Sequence, residues 1–235
     1  MKKLLYLFSF LLAVTFAACE NGQPEGPSNP TGPSNPDEPS EPNKHENHEW
    51  VDLGLSVKWA TCNVGANAPE EFGDYFAWGE TQPKEVYDWS TYKWTKLNSE
   101  GDIDSLIRYN FNKAYGVVDS ISTLFPEDDA AIVNLGKDWR MPTKAEIQEL
   151  IDKCNWKWTT QNGVNGYKVT GPSGNHIFLP HTERVHINNE GYYSCYWTSQ
   201  PISPGSVALR FNNEIRELIP FSKDNACAIR PVRSK

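Results

Sequence analysis

The chain has 235 residues and a formal net charge of -8, from 22 Lys and Arg against 30 Asp and Glu. No basic run interrupts that acidic balance, which repels a phosphate backbone and argues against nucleic-acid binding. Hydrophobic residues make up 38% and nine are tryptophan, enough for one folded domain with appendages. After the N-terminus no stretch approaches the length of a membrane span.

Met1-Lys2-Lys3 is positive, and Leu4 to Phe16 is a nearly continuous apolar run. That run is too short to cross a bilayer but suits the core of a secretory signal. Phe16-Ala17-Ala18-Cys19 then resembles the lipobox of bacterial lipoproteins, with Phe16 where leucine is more usual. The resemblance implies removal of residues 1–18 and lipidation of Cys19, so that the membrane is one partner. Losing Lys2 and Lys3 takes the mature charge to -10. Each buried acyl methylene adds about 0.8 kcal/mol, so several chains on one cysteine anchor durably. Glu20 rather than Asp follows, and the expected address is the outer membrane of a Gram-negative bacterium, on its exposed surface. The alternative is an ordinary secreted protein in which Cys19 is incidental.

From Glu20 to Asn47 almost nothing is apolar, and prolines recur at Pro24, Pro27, Pro30, Pro33, Pro36, Pro39 and Pro42. Polyproline II has three residues per turn, so these prolines would line one edge of an extended helix. The Ser, Asn, Gly and acidic residues between them bury too little surface to fold. At about 3.1 Å per residue such a spacer reaches roughly 80 Å at most. His45 and His48 fall at its end and read as solvated.

Residues 48–235 read as a single domain. Trp50 to Ala60 alternates loosely and predicts one or two opening strands, and a short strand is expected at Tyr75 to Trp78. Tyr87 to Phe125 is mixed and polar and supports no assignment. Pro126 to Gly136 predicts a short helix, acidic at its start and closed by glycine. Thr143 and Glu146 form a capping-box pattern ahead of Ile147, Leu150 and Ile151, an i, i+3, i+4 stripe. Turn signals at Asn162-Gly163, Asn165-Gly166 and Gly171-Pro172-Ser173-Gly174 separate strands at Tyr167–Thr170 and His176–Leu179. Further strands are expected at Tyr192–Ser199, Val207–Phe211, Glu214–Ile219 and Ala226–Val232. Two central helices between runs of strands predict an α+β domain.

The strings Trp50–Ala66, Gly73–Glu80, Trp139–Glu146 and Cys154–Pro180, with the ending Ala228-Ile229-Arg230-Pro231-Val232-Arg233, resemble the Fibrobacter succinogenes major paralogous domain. Asp129 to Glu146, above all Arg140-Met141-Pro142-Thr143-Lys144-Ala145-Glu146, resembles a signature of formylglycine-generating (sulfatase-modifying) enzymes. These resemblances imply a C-type-lectin-like fold, with two central helices and short, mostly antiparallel strands.

The chemistry of that enzyme family is not carried over. Its copper site needs two nearby late cysteines, whereas Cys195 and Cys227 lie far apart in sequence. His176, His181 and His186 are spaced by five, which in a strand sends successive members to opposite faces. They read as surface or rim histidines, and no metal site is expected. Asp52, Asp74 and Glu80 lie among aromatic residues, but their separation is not readable from sequence. Calcium remains possible through Asn188-Asn189-Glu190 or Asn212-Asn213-Glu214, although neither matches a lectin motif. Four cysteines allow three pairings. Cys62 with Cys154, both in family-like strings, and Cys195 with Cys227, both on late strands, are the candidate disulfides, with free buried thiols as the alternative.

In lectin-like relatives the late strands carry the ligand face, which corresponds here to Tyr192 through Asn225. Tyr192, Tyr193, Tyr196, Gln200, Asn212, Asn213, Arg216 and Asn225 are the candidate ligand-binding residues, able to stack and hydrogen-bond. Trp197 reads as core, and Asn212 and Asn213 could simply turn a hairpin. The expected function is a non-catalytic, adhesin-like surface module for an extracellular glycan or protein ligand, needing no cofactor. The alternatives are a structural accessory subunit of a surface assembly such as a fimbria, and an enzyme on the sulfatase-modifying fold.

Overall fold

The computed structural model describes residues 48–182, 185–187 and 191–235, with backbone alone for 185–187 and 191. The signal segment, Cys19, the proline-rich segment, His45, the His186 side chain and Asn188-Asn189-Glu190 lie outside the described residues. In chain order come β1 (Trp50–Val51), β2 (Lys58–Ala60), β3 (Thr95–Leu97), β4 (Ile103–Leu106), α1 (Ala130–Leu135) and α2 (Lys144–Lys153). Then follow β5 (Asn155–Gln161), β6 (Val164–Thr170), β7 (His176–Pro180), β8 (Val185–Ile187), β9 (Gly191–Pro201), β10 (Ser206–Phe211), β11 (Arg216–Phe221) and β12 (Val232–Arg233). The fold is mixed, with two helices and several small antiparallel sheets among the described residues, in keeping with the α+β expectation.

The helices start where side chains satisfy their free N–H groups. Asp129 Oδ1 accepts from the N–H groups of Ala131 (2.9 Å) and Ile132 (3.2 Å), and Oδ2 accepts from Met141 N–H at 2.9 Å. One buried carboxylate therefore caps α1 and ties it to the strand-like segment leading into α2. Thr143 Oγ1 accepts from Glu146 N–H (3.2 Å) while Glu146 accepts from Thr143 N–H (2.8 Å), the reciprocal pair the sequence predicts. Glu146 is also gripped by both Arg140 guanidinium nitrogens, at 2.8 and 2.5 Å.

Asn162 and Gly163, at φ of 46° and 85°, make the tight turn that joins β5 to β6. The β5–β6–β7 sheet leads by way of β8 to a four-stranded sheet in the order β11-β10-β9-β8. The ends of the domain meet, because β2 pairs with β1 on one side and β12 on the other. The predicted strand at Tyr75–Trp78 is reduced to one bridge, between Phe76 and Cys227. The predicted strand at Ala226–Val232 forms bridges at Cys227, Ala228 and Val232, while Ile229 O and Pro231 O accept from Val64 and Ala60 N–H.

Strand β9 is buried on both faces. Its side chains alternate, so Cys195 and Trp197 join one apolar core while Tyr196 joins the other. Across a parallel bridge from Tyr196 to Ala228 the same alternation holds: Cys227 and Ile229 join the core of Trp197, and Ala228 that of Tyr196. The first core is built around Leu53, Trp59, Leu150, Val169 and Phe211, the second around Phe76, Trp78, Met141 and Trp197. Three of the nine tryptophans, Trp59, Trp78 and Trp197, are thus fully enclosed.

Arg230 is the polar keystone between these layers. Its buried guanidinium donates to Asn63 Oδ1 (2.9 Å) and to the carbonyls of Ala60 (3.1 Å), Thr61 (2.7 Å) and Phe178 (2.9 Å). His48 departs from the solvated reading: its ring stands edge-on to Trp139 at 5.7 Å and its Nε2 donates to Cys62 O at 3.2 Å, so it is docked on the domain.

Candidate functional site

Sheet register divides the sequence-predicted ligand residues between two ends. Phe211 lies opposite both Ser194 of β9 and Arg216 of β11, which puts Tyr192, Asn212, Asn213 and Arg216 at one end. Ser206 lies opposite both Pro201 and Phe221, so Gln200 and Asn225 belong to the other. Tyr192 and Gln200 are roughly 25 Å apart along the strand. One small ligand cannot meet all of them.

Several of these residues are structural. Tyr196 is 1% exposed; its hydroxyl donates to Pro180 O (3.1 Å) and accepts from Asn63 Nδ2 (3.2 Å), and burial drives its phenol far above the usual range. Tyr193 is 5% exposed beneath the Arg210 guanidinium, 4.9 Å from its ring centre, and Arg210 is ion-paired with Glu217 at 2.7 Å. Asn212 Oδ1 accepts from Glu214 and Ile215 N–H, both at 2.9 Å, and so closes the β10–β11 turn. The Asn225 amide donates to Ser222 O at 3.2 Å in another turn. Period-two alternation buries the two tyrosines, and the two half-buried asparagines make local backbone bonds. Tyr192, Gln200, Asn213 and Arg216 are exposed, as a ligand face requires.

The structure adds Trp158, which sequence reasoning passed over, and sets it against His181, which the sequence reads as a surface or rim histidine. Trp158 of β5 stands edge-on to Tyr167 (5.0 Å) and to His181 (5.3 Å), and His181 reaches Phe211 at 6.3 Å. Trp156 and Tyr167 complete the cluster against Phe211, at 6.4 and 5.6 Å. Arg216 lies over Trp156 at 5.7 Å. Ser194 fixes the histidine: its Oγ accepts from Thr182 N–H and shares a hydrogen bond with His181 Nδ1, both at 2.8 Å. Tyr192 shares the β9 face of Ser194 by alternation, one step farther out. The inner members are core, while Trp158 and His181 are half-buried and Tyr192 and Arg216 exposed. Together they form a rim where the β5–β7 sheet meets the late sheet. The readable signal was Trp156-Lys157-Trp158, two tryptophans on one face of a strand. Ring faces, an imidazole and a guanidinium suit stacking on a sugar's C–H face or on an aromatic side chain.

Away from the rim, a cavity of about 320 Å³ lies between β4, a 3-10 turn at Lys113–Tyr115 and Pro204, with Trp89 as a further wall. Of the eleven exposed large hydrophobic side chains among the described residues, seven lie between Val86 and Phe125, so apolar exposure concentrates in this segment.

All four described cysteines are free thiols. Cys195 and Cys227 are neighbours in the second core, and burial pushes the Cys227 thiol well above its usual range. Cys62 and Cys154 are in different surroundings. Cys62 lies by the Arg230 guanidinium, and Cys154 lies at the end of α2, where burial raises it to about 11. Two of the three carboxylates considered from sequence have their own partners: Glu80 binds Lys84 (2.9 Å) and Lys93 N–H (2.7 Å), and Asp52 pairs with Lys235 (3.4 Å). Among the described residues no three His, Cys, Asp or Glu side chains converge as a metal site. Comparison with known proteins finds no matching family model, no matching curated protein and no matching solved structure.

Proposed function

We propose that this chain is a lipid-anchored surface module, non-catalytic, that binds an extracellular glycan or protein through the rim of Trp158, His181, Tyr192 and Arg216. The observation that carries the reading is the meeting of Trp158 of β5, His181 just after β7 and Arg216 of β11 on one aromatic cluster around Trp156 and Phe211, with exposed Tyr192 on the β9 face of Ser194. The lipobox-like Cys19 and the proline spacer supply the anchor and the reach. A C-type-lectin-like fold of the major paralogous kind fits this proposal, since β2 lies between β1 and β12, the two helices fall centrally in the domain's sequence and part of the rim is on the late strands.

The test is a glycan and host-protein array probed with the intact chain, with calcium and with chelator. A specific hit that weakens roughly tenfold or more in Trp158→Ala or Arg216→Ala, with the fold retained by circular dichroism, supports the reading. A hit that neither variant affects, or silence across the array, counts against it.

A second reading is favoured by the exposed apolar segment between Val86 and Phe125. Large apolar exposure marks a surface that another protein covers. In that reading the chain is an accessory subunit of a surface assembly, and it co-purifies with other surface subunits.

A further inference from the structure

We infer that the cavity beside β4 is a docking groove for an extended polypeptide strand carrying one large apolar side chain; this rests on the assembly reading above. All four residues of β4, Ile103–Leu106, line the cavity. Successive side chains of a strand point to opposite faces, so a space touched by four in a row runs along the strand's edge. On one edge β4 pairs with β3. On the other, among the described residues, the bridge is a single parallel one from Leu106 to Gly116. At that bridge the chain segments are pressed together: a Cβ on Gly116 would stand 2.6 Å from Ser105 Cβ and 2.7 Å from Leu106 O. Beside that bridge lies the cavity, with Ile103–Leu106 on its wall from β4 and Ala114 and Tyr115 on its wall from the preceding turn of the Gly116 segment.

An open strand edge offers N–H and C=O groups to an incoming strand, and a pocket beside it selects a side chain. Here the pocket walls are Trp89, Ala114, Tyr115 and Pro204, and the volume suits one large apolar side chain with its backbone. The lining favours a polypeptide over a sugar. A sugar needs convergent polar groups, whereas the carboxylate here, Asp104, is paired with Lys96 at 3.3 Å. The neighbouring Ile107, Phe111 and Val117 are exposed, Val117 at 72%, and extend the apolar surface that such a partner would cover.

The probe is a set of acetylated heptapeptides of alternating threonine and lysine, with leucine, phenylalanine or alanine at the centre. They are titrated against the intact chain, following tryptophan fluorescence and calorimetric heat. Saturable binding of the leucine or phenylalanine peptide is expected, roughly tenfold or more tighter than the alanine peptide. Backbone N-methylation of the same peptide should abolish it, because the side chain remains while the ladder donors go. Ala114→Trp, which fills the cavity from an exposed position, should also abolish it with the far-UV spectrum unchanged. No saturable binding up to millimolar peptide, or equal binding of the N-methylated peptide, overturns the groove. If that happens while the chain still co-purifies with surface subunits, the assembly reading survives and only the groove falls.

Discussion

His181 Nδ1 and Ser194 Oγ lie 2.8 Å apart, and the same hydroxyl accepts from Thr182 N–H at 2.8 Å. One buried serine therefore holds both the rim imidazole and the turn that carries it. Ser194→Ala leaves a buried N–H and a ring nitrogen without this partner. It should cost about 1–3 kcal/mol in urea unfolding and weaken ligand binding as well. Loss of stability with unchanged affinity would remove His181 from the rim.

Arg230 supplies four hydrogen bonds from a fully buried guanidinium, joining the β2 loop, β7 and the C-terminal segment. Arg230→Met should destabilise by roughly 3–5 kcal/mol, since buried acceptors are left unmet. Arg230→Lys should recover little, because an ammonium cannot reproduce the fork. Chemical denaturation of both variants reads this directly.

Lys223 is wholly buried, donates to Tyr109 O at 2.8 Å and stands 5.1 Å from the Trp78 ring centre. Burial pushes its ammonium down from 10.5 to about 8. Between those values the unfolded chain holds more protons than the folded one, so the contribution of Lys223 to stability rises with pH across that window. Below about pH 8 its full cost is present. Wild-type stability relative to Lys223→Met should therefore climb by on the order of 3 kcal/mol from pH 8 to 10.5. A flat difference would show that the lysine titrates normally.

Cys195 and Cys227 are side by side in the second core, and an oxidising compartment favours their pairing. Chain exported from cells, unfolded and alkylated without reductant, should be two hydrogens lighter and carry no label at either position. Labelling of both would mean that they stay thiols.

Local patterns made much of this fold legible. The capping box at Thr143, the Asn162-Gly163 turn and strands β9 and β10 appear near the predicted places, because each depends on neighbours a few residues away. The strand forecast at Glu214–Ile219 runs instead from Arg216 to Phe221, displaced by the Asn212 turn. The segment from Tyr87 to Phe125 stayed unreadable because it is held by long-range bonds, such as those that Lys223 donates to Tyr109 O and Phe111 N–H donates to Ser203 Oγ. The site was legible only by region. Tyr192 and Tyr193 are neighbours in sequence, yet register and alternation leave one 56% exposed and the other covered by Arg210. Trp158 and His181 join them only through sheet contacts that no local pattern announces.

The most direct test of the rim compares one ligand, taken from the array, on three proteins: wild type, Trp158→Ala and Gln200→Ala. Gln200 is exposed in the same sequence window but at the opposite end of β9. The rim account predicts an affinity loss of roughly tenfold or more for Trp158→Ala and none for Gln200→Ala. Loss at Gln200 with Trp158→Ala unaffected would place the ligand at the other end of the sheet and contradict it.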